Sequence, residues 1–508
     1  MRSKINLRDF LACLSLANLI MLKVWLQLFP FNSGKSFWLA HSPANSYLAA
    51  MINTVLIGLG LWCAVVIANR WRGSAMVLWP FIYGVTLCLA LNGIRVNYGW
   101  GRYYLYRKLG EGGPLLAGIT VILLMTAIAL LMIRHRHLIS QHYFRVPLVL
   151  APFVLVTFGQ SALALRQLEP PSAFVPHTRH DMRRAENTHA MPVVWIIFDE
   201  LDYRIAFGQR PKGLVLPELD RLQQTSLNVT RAYSPFDSTA VSIPALLTGK
   251  TLKRTKPLGA GDMTLSGTDG TTSSLQQTET TIFADMHNRG ARTAIFGWYF
   301  PYSRLFSAAA VVKDYPIYLF PTSERLTKTI VFQLGSLVES SYFSPFGDSL
   351  AVINHIAITT SIQKDVLHYL QTNQNGGFAF LHYPVPHDPN IYNRNTHRYG
   401  SNSNIKEGYL DNVALTDRLL GEIRTIMEKA GTWDKALIIV SADHHWRQNT
   451  YDGIIDKRHV PFLVKLPHQT QGTPMDSRFE TVRTRDMIVR IVDGTLKTPE
   501  DVKRWMSQ

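Results

Sequence analysis

Residues 193–508 of this 508-residue chain contain no cysteine; Cys13, Cys63 and Cys88 all fall in apolar stretches near the N-terminus. The larger part therefore has no disulfide framework, no thiolate zinc site and no thiol nucleophile. Acidic residues are scarce at the other end. Residues 1–192 carry 5 Asp+Glu against 18 Lys+Arg, whereas residues 193–508 carry 31 against 34, so nearly all of the +16 net charge lies in the N-terminal part. A near-neutral larger part argues against a nucleic-acid partner. No internal repeat or low-complexity tract is evident, and 11% aromatics with long apolar runs exclude intrinsic disorder.

Five apolar stretches, near residues 10–30, 48–69, 75–94, 114–133 and 146–165, are long enough to cross a bilayer, which needs about 20 residues. Four spans after the first argue against a signal peptide. Residues 1–165 are thus expected to form a five-helix transmembrane domain. Basic residues at the N-terminus (Arg2, Lys4, Arg8) and after the second and fourth spans (Arg70, Arg72, Arg134, Arg136, Arg145) outnumber those in the other loops (Lys35, Arg95, Arg102, Arg107, Lys108) by 8 to 5. This predicts a cytoplasmic N-terminus and a C-terminal part outside the inner (cytoplasmic) membrane, periplasmic or extracellular. The loop 94–113 is rich in Tyr and Trp, as an interfacial belt or a headgroup-binding lid would be. Residues 166–192, with several prolines and four arginines, read as a linker.

Residues 193–508 are expected to form one catalytic domain. Short apolar runs at Val193–Phe198, Thr293–Phe296, Phe378–Leu381, Ala436–Val440 and Pro461–Val464 alternate with helical patterns, clearest at 350–372 and 406–429. That alternation predicts an α/β fold with a mainly parallel central sheet and chemistry beyond the carboxyl ends of its strands. Polar residues cluster there. Asp199 and Glu200 follow the first run, His382 and His387 the third, and Asp443, His444 and His445 the fourth; His459 instead precedes the fifth. Each alone reads equally as a helix cap or a hydrogen-bonded histidine. Together, carboxylates and imidazoles without thiols make a ligand set for a divalent metal, Zn²⁺ or Mn²⁺. Thr239, in SPFDSTAVSIPALLTGK, is placed at a helix N-terminus, with Pro244 taken to lie near the first turn. Free N–H groups there would receive a phosphate or sulfate oxygen.

These segments resemble the alkaline phosphatase superfamily in its sulfatase-like branch, over roughly residues 193–500. IIFDELD resembles its first metal-binding strand end, and STAVSIPALLTGK its nucleophile segment, with the nucleophile at Thr239. LHYPVPHDPNIY, and SADHHWR with RHVPFLVKLP, resemble the histidine segments of phosphoethanolamine transferases. The five-span anchor is similar to those enzymes and to lipoteichoic acid synthases. The resemblance implies a metal held by Asp199 (with or without Glu200), Thr239, Asp443 and His444. It implies that His387 and His459 serve a second metal or act as general acid and base, with His382 near the substrate. Arg447, Arg458 and Lys457 are expected at phosphate or acceptor. DHHWR departs from the transferases' D-H-G-E-S, and a Thr nucleophile excludes formylglycine chemistry.

The implied activity is transfer of a phospholipid-derived phospho-headgroup, through phosphothreonine, to an envelope glycan such as lipopolysaccharide. The alternatives are a metal-dependent phosphodiesterase or sulfatase-like hydrolase, and a non-catalytic subunit of an envelope polysaccharide assembly. Trp298, Tyr299 and Tyr302 of GWYFPYSR read as a sugar-stacking platform or as core packing.

Overall fold

The computed structural model describes residues 7–29, 41–68, 75–98, 100, 108–109, 112–138, 145–174, 191–278, 280–306, 309–316, 323, 325–339, 349–374, 376–402, 404–447 and 458–508. The rest of the aromatic loop 94–113, linker residues 175–190 and Lys457 lie outside the described residues. The chain divides into two compact units, Met1–Ala173 with Tyr318–Asp348, and Phe174–Ile317 with Ser349–Gln508.

In the first unit, helices Ala44–Ala68, Ala75–Asn97 and Gly113–Arg134 match three expected spans. The fifth expected span is matched as well: Arg145–Leu150 and Pro152–Gln167 together form one long apolar helical stretch. The first expected span is instead two helices, Leu7–Ile20 and Leu22–Leu28, bent by 59°. Among the described residues, four helices are therefore long and apolar enough to cross a membrane, or five if the bent pair counts as one span. Cys13, Leu16, Val65, Trp79 and Ile82 form a buried cluster between them. Outward faces stay apolar, with Leu115, Leu123 and Leu130 more than 60% exposed. Such faces suit lipid, where side chains face hydrocarbon and every backbone group is bonded within the helix. Gly93 allows close packing, because a Cβ there would sit 2.8 Å from the backbone N of Lys23.

The reading of 193–508 as one domain needs a correction. The helix Leu326–Glu339, in the middle of that range, packs with the first unit. Its buried side carries Thr329, Gln333 and Ser336, hydrogen-bonding residues without the long apolar run that marks a span.

The second unit is built on eight strands: β1 (Pro192–Phe198), β2 (Leu227–Val229), β3 (Thr293–Tyr299), β4 (Val311–Pro316), β5 (Gly377–Tyr383), β6 (Leu437–Ser441), β7 (Phe462–Lys465) and β8 (Thr473–Met475). Their order is β8-β2-β7-β6-β1-β5-β3-β4. Pairs β6-β1, β1-β5, β5-β3, β3-β4 and β8-β2 are parallel; β7 runs antiparallel to β6 and β2. All five expected strands are present. The central ones, β1, β5 and β6, are buried almost throughout, as strands covered on both faces must be. Helices Ser349–Thr372 and Ile405–Lys429 match the two helical patterns. Strands β2, β4 and β8 are short or polar and carry no apolar run to betray them.

Candidate active site

The neighbouring carboxyl ends of β1, β5 and β6 bring the expected residues together. Asp199 follows β1 directly, and its backbone N–H donates to the Tyr383 carbonyl at the end of β5 (3.1 Å). The His387 N–H donates in turn to the Asp199 carbonyl (3.0 Å), tying the loop after β5 to the end of β1. Asp443 and His444 follow β6.

Thr239 begins the helix Thr239–Thr248, with Ser238 as its extended N-cap residue and Gly249 as its left-handed stop. Pro244 lies sixth in this helix, beyond the expected first turn. Its missing N–H leaves the Ala240 carbonyl without its helical partner, and the Thr255 hydroxyl supplies one at 2.7 Å. The nucleophile segment is thus held by the strand that follows it, Leu252–Pro257.

Four side chains converge. Thr239 Oγ1 lies 3.3 Å from Asp199 Oδ2 and 3.2 Å from His444 Nε2. His444 Nε2 is 3.6 Å from Asp199 Oδ1 and 3.4 Å from Asp443 Oδ2. His444 Nδ1 donates to the His445 carbonyl (2.9 Å), which fixes the tautomer and leaves the Nε2 lone pair facing Thr239. Asp443 Oδ1 accepts from the backbone N–H groups of His444 (2.9 Å) and Glu200 (3.3 Å). Its Oδ2, and Oδ1 of Asp199, are buried without a hydrogen-bond partner. Burial, and then the charge of Asp443 beside it, push the Asp199 carboxyl well above its ordinary value. Two buried carboxylates with outward lone pairs and one imidazole lone pair, ligand atoms within 4.8 Å of one another, fit a divalent cation.

Glu200 does not join this group. It has a positive φ of 66°, a strained value for a side-chain-bearing residue. That turn sends its carboxylate into a second group with His387 and Asp388. There Arg447 Nε donates to Glu200 Oε1 at 2.7 Å. Burial opposes the charge of Glu200, but His387 and Arg447 outweigh it and hold the carboxyl below its ordinary value. His387 Nδ1 donates to the Asp388 carbonyl (2.6 Å), and Nε2 lies 3.0 Å from Arg447 Nη2. Burial favours the neutral ring, yet Glu200, Asp388 and Asp199 lift its pKa to about 9 against the charge of Arg447.

His382, on β5, is fully buried. Its Nδ1 meets the Tyr302 hydroxyl at 2.7 Å, and burial lowers its pKa to about 4, so it is neutral. Trp298 and Tyr302 are almost wholly buried around it, which makes them packing residues and not a sugar platform. His459 joins neither carboxylate–imidazole group. It lies in a short strand paired with Tyr233, its Nε2 is 2.7 Å from the Thr230 carbonyl, and its ring stacks on Tyr203. Arg458 bonds the Ser234 carbonyl (2.9 Å) and Glu480 (3.1 Å), so it braces the strand before the nucleophile segment.

Two site-shaping residues escaped the sequence reading. Tyr409 donates to the Glu200 carbonyl (2.7 Å), accepts from the Asp202 N–H (3.1 Å) and stacks on Trp446 at 4.0 Å. Asn412, three residues on, accepts from the Ile391 N–H (3.0 Å), while its amide lies 3.2–3.3 Å from the carbonyls of Pro386, His387 and Pro389. Both sit on the buried face of Ile405–Lys429. Polar side chains at core positions of an amphipathic helix were the available signal.

A family model described as Sulfatase matches residues 192–493. The chain belongs to the sulfatase family. Solved structures similar to this sulfatase-family chain include the PsFucS1 sulfatase from Pseudoalteromonas sp. (14% identity, 62% of this chain and 72% of that one, TM-score 0.44). Another is a phosphonate monoester hydrolase of Agrobacterium radiobacter (13% identity, 60% and 74%, TM-score 0.42). Among curated protein sequences, none is similar enough to count as a relative. The second unit is therefore a sulfatase-fold domain of the alkaline phosphatase superfamily, carrying an acidic and histidine cluster able to bind a metal.

Proposed function

We propose that this protein is a membrane-bound, metal-dependent phosphotransferase that moves a phospholipid headgroup through phospho-Thr239 to an envelope glycan. The observation that carries this reading is the Thr239 hydroxyl, at a helix N-terminus, within 3.3 Å of both Asp199 and His444. Threonine cannot be converted to an aldehyde-bearing nucleophile, which favours phosphoryl transfer over sulfate ester hydrolysis.

Asp199, Asp443 and His444, with Thr239, would hold the cation, taken as Zn²⁺ with Mn²⁺ the other choice. When bound it supplies a Lewis acid that acidifies the hydroxyl and offsets phosphoryl charge. Asp199 accepts the hydroxyl proton as Oγ1 bonds to phosphorus, and the bond from phosphorus to the lipid alcohol breaks. N–H groups at the start of Thr239–Thr248 face the phosphoryl oxygens. His387 delivers a proton to the leaving lipid alkoxide and later removes one from the acceptor hydroxyl, whose oxygen then bonds to phosphorus as the bond from phosphorus to Oγ1 breaks and Asp199 returns the proton to Thr239. Arg447 leaves His387 to contact phosphate. A site on the periplasmic side, tethered beside its lipid donor, meets headgroups at high effective concentration.

The test is a peptide mass. The full-length protein is incubated with vesicles of phosphatidylethanolamine and phosphatidylglycerol, without acceptor, and digested with trypsin. The peptide Ala232–Lys250 contains Thr239. A gain of phosphoethanolamine or phosphoglycerol mass, absent in Thr239→Ala, is expected. Lipid cleaved to free headgroup with the peptide never modified would make the protein a hydrolase instead. No lipid turnover at all would sink the reading.

A further inference from the structure

The helix Leu326–Glu339 lies between two segments of the sulfatase-fold unit in sequence, yet it groups with the apolar helices of the first unit. One side of it is bonded to them. Gln333 Nε2 donates to the Ser46 carbonyl (2.8 Å), and Asn53 Nδ2 reaches both Gln333 Oε1 (3.1 Å) and the Ile330 carbonyl (3.2 Å). Lys23 Nζ donates to the Ser336 carbonyl near the C-terminal end of the helix, where the helix dipole favours a cation. Thr329, Gln333, Ser336 and Leu337 are buried on this side.

The opposite side is uncovered; it begins with the exposed Thr327 and Lys328 and is apolar from Val331 to Gly335. Val331 is 65% exposed, Phe332 45% and Leu334 37%. Together with the exposed Gly335 they occupy one helix face over its C-terminal half. In water, leaving such side chains exposed forgoes the free energy of burying them. Against hydrocarbon that loss vanishes. The face adjoins helices whose own outward residues are apolar, and its bonded side is already occupied.

We infer that Leu326–Glu339 is a membrane-embedded helix: the catalytic half of the chain re-enters the bilayer, with Val331, Phe332 and Leu334 against lipid acyl chains. The occupant of this face is lipid and not a second protein, because the surface continues the lipid-facing surface of the spans. The helix meets the C-terminal segment of the first broken span (Lys23) and the N-terminal half of the second (Ser46, Asn53). Asn97, at the end of the third, bonds the Lys23 carbonyl at 3.3 Å. In a five-span arrangement these segments share one half of the bilayer, the half on the side to which a fifth span would deliver the chain. The inference is independent of the phosphotransferase reading.

The experiment places the photoreactive amino acid p-benzoyl-phenylalanine at Phe332 of the full-length chain, in phosphatidylethanolamine and phosphatidylglycerol nanodiscs. The control position is Leu258, 54% exposed in the sulfatase-fold unit. After illumination, a phospholipid adduct on the peptide holding residue 332, at least ten times that at 258, is expected. Equal adducts at the two positions, or protein–protein crosslinks alone from 332, would overturn the inference. If the 332 variant does not fold, the same residue at Val331 puts the same question with the same outcomes.

Discussion

Asp199 and Glu200 are neighbours in sequence and both fully buried, yet they sit in opposite electrostatic settings. Glu200 faces a guanidinium that the chain itself supplies, so it is held ionised. Asp199 faces Asp443 and a histidine, and its Oδ1 accepts no hydrogen bond, so its carboxyl resists ionisation. Buried charge is tolerated when an opposite charge answers it. One group is therefore balanced from within, and the other is able to take a balancing cation from outside. The turn at Glu200, anchored by Tyr409, separates the two.

This contrast can be broken by substitution. Asp199→Asn or Asp443→Asn should abolish metal retention, read by elemental analysis, and lower turnover by roughly a thousandfold, as loss of an activated nucleophile does. The metal-stripped Asp199→Asn protein should unfold at the same temperature as stripped wild type or higher, because a repulsion is gone. A clear loss of stability would show that Asp199 is already balanced.

Arg447→Met should behave in the opposite way. It strands a buried carboxylate, a change that costs about 3–5 kcal/mol when both partners are fully buried. The Arg447 side chain is 38% exposed, so a loss of about 2 kcal/mol is expected in chemical unfolding. Adding Glu200→Gln should recover most of it. A double variant no more stable than the single one would refute the pairing.

Lys465 gives the smallest effect and the sharpest control. It is 2% exposed, and its Nζ bonds the carbonyls of Trp433, Asp434, Ala436 and Leu466 at 3.0–3.4 Å. Burial lowers its pKa from 10.5 to about 8, only partly offset by Asp434. Between those values the unfolded chain binds more protons than the folded one, so this group makes stability rise with pH from about 8 to 10.5. Lys465→Met should flatten that slope, measured by denaturant titration; an unchanged slope would mean the ammonium stays charged.

Much of this molecule was legible as pattern. Unbroken apolar runs marked β1, β5 and β6 because strands buried on both faces leave no polar position. Strand-end residues marked the site because ligands gather beyond the carboxyl ends of parallel strands. His459 differs from them in position. It stands before a strand, in a histidine-proline-like context, and its ring is taken up by Tyr203 and the Thr230 carbonyl. Tyr409 and Asn412 were invisible because their partners are backbone carbonyls far away in the chain, which no local motif records.

The sequence by itself determined the apolar N-terminal helices, the α/β alternation and the identity of the site's carboxylates and imidazoles, since each depends on local composition and period. Only the tertiary structure decided which carboxylate faces Thr239 and which faces Arg447. That choice turns on one backbone angle at Glu200, held by a tyrosine 209 residues later in the chain. It decided likewise that Leu326–Glu339 leaves the domain it was counted in, because hydrogen bonds to Ser46 and Asn53 are made across nearly 300 residues.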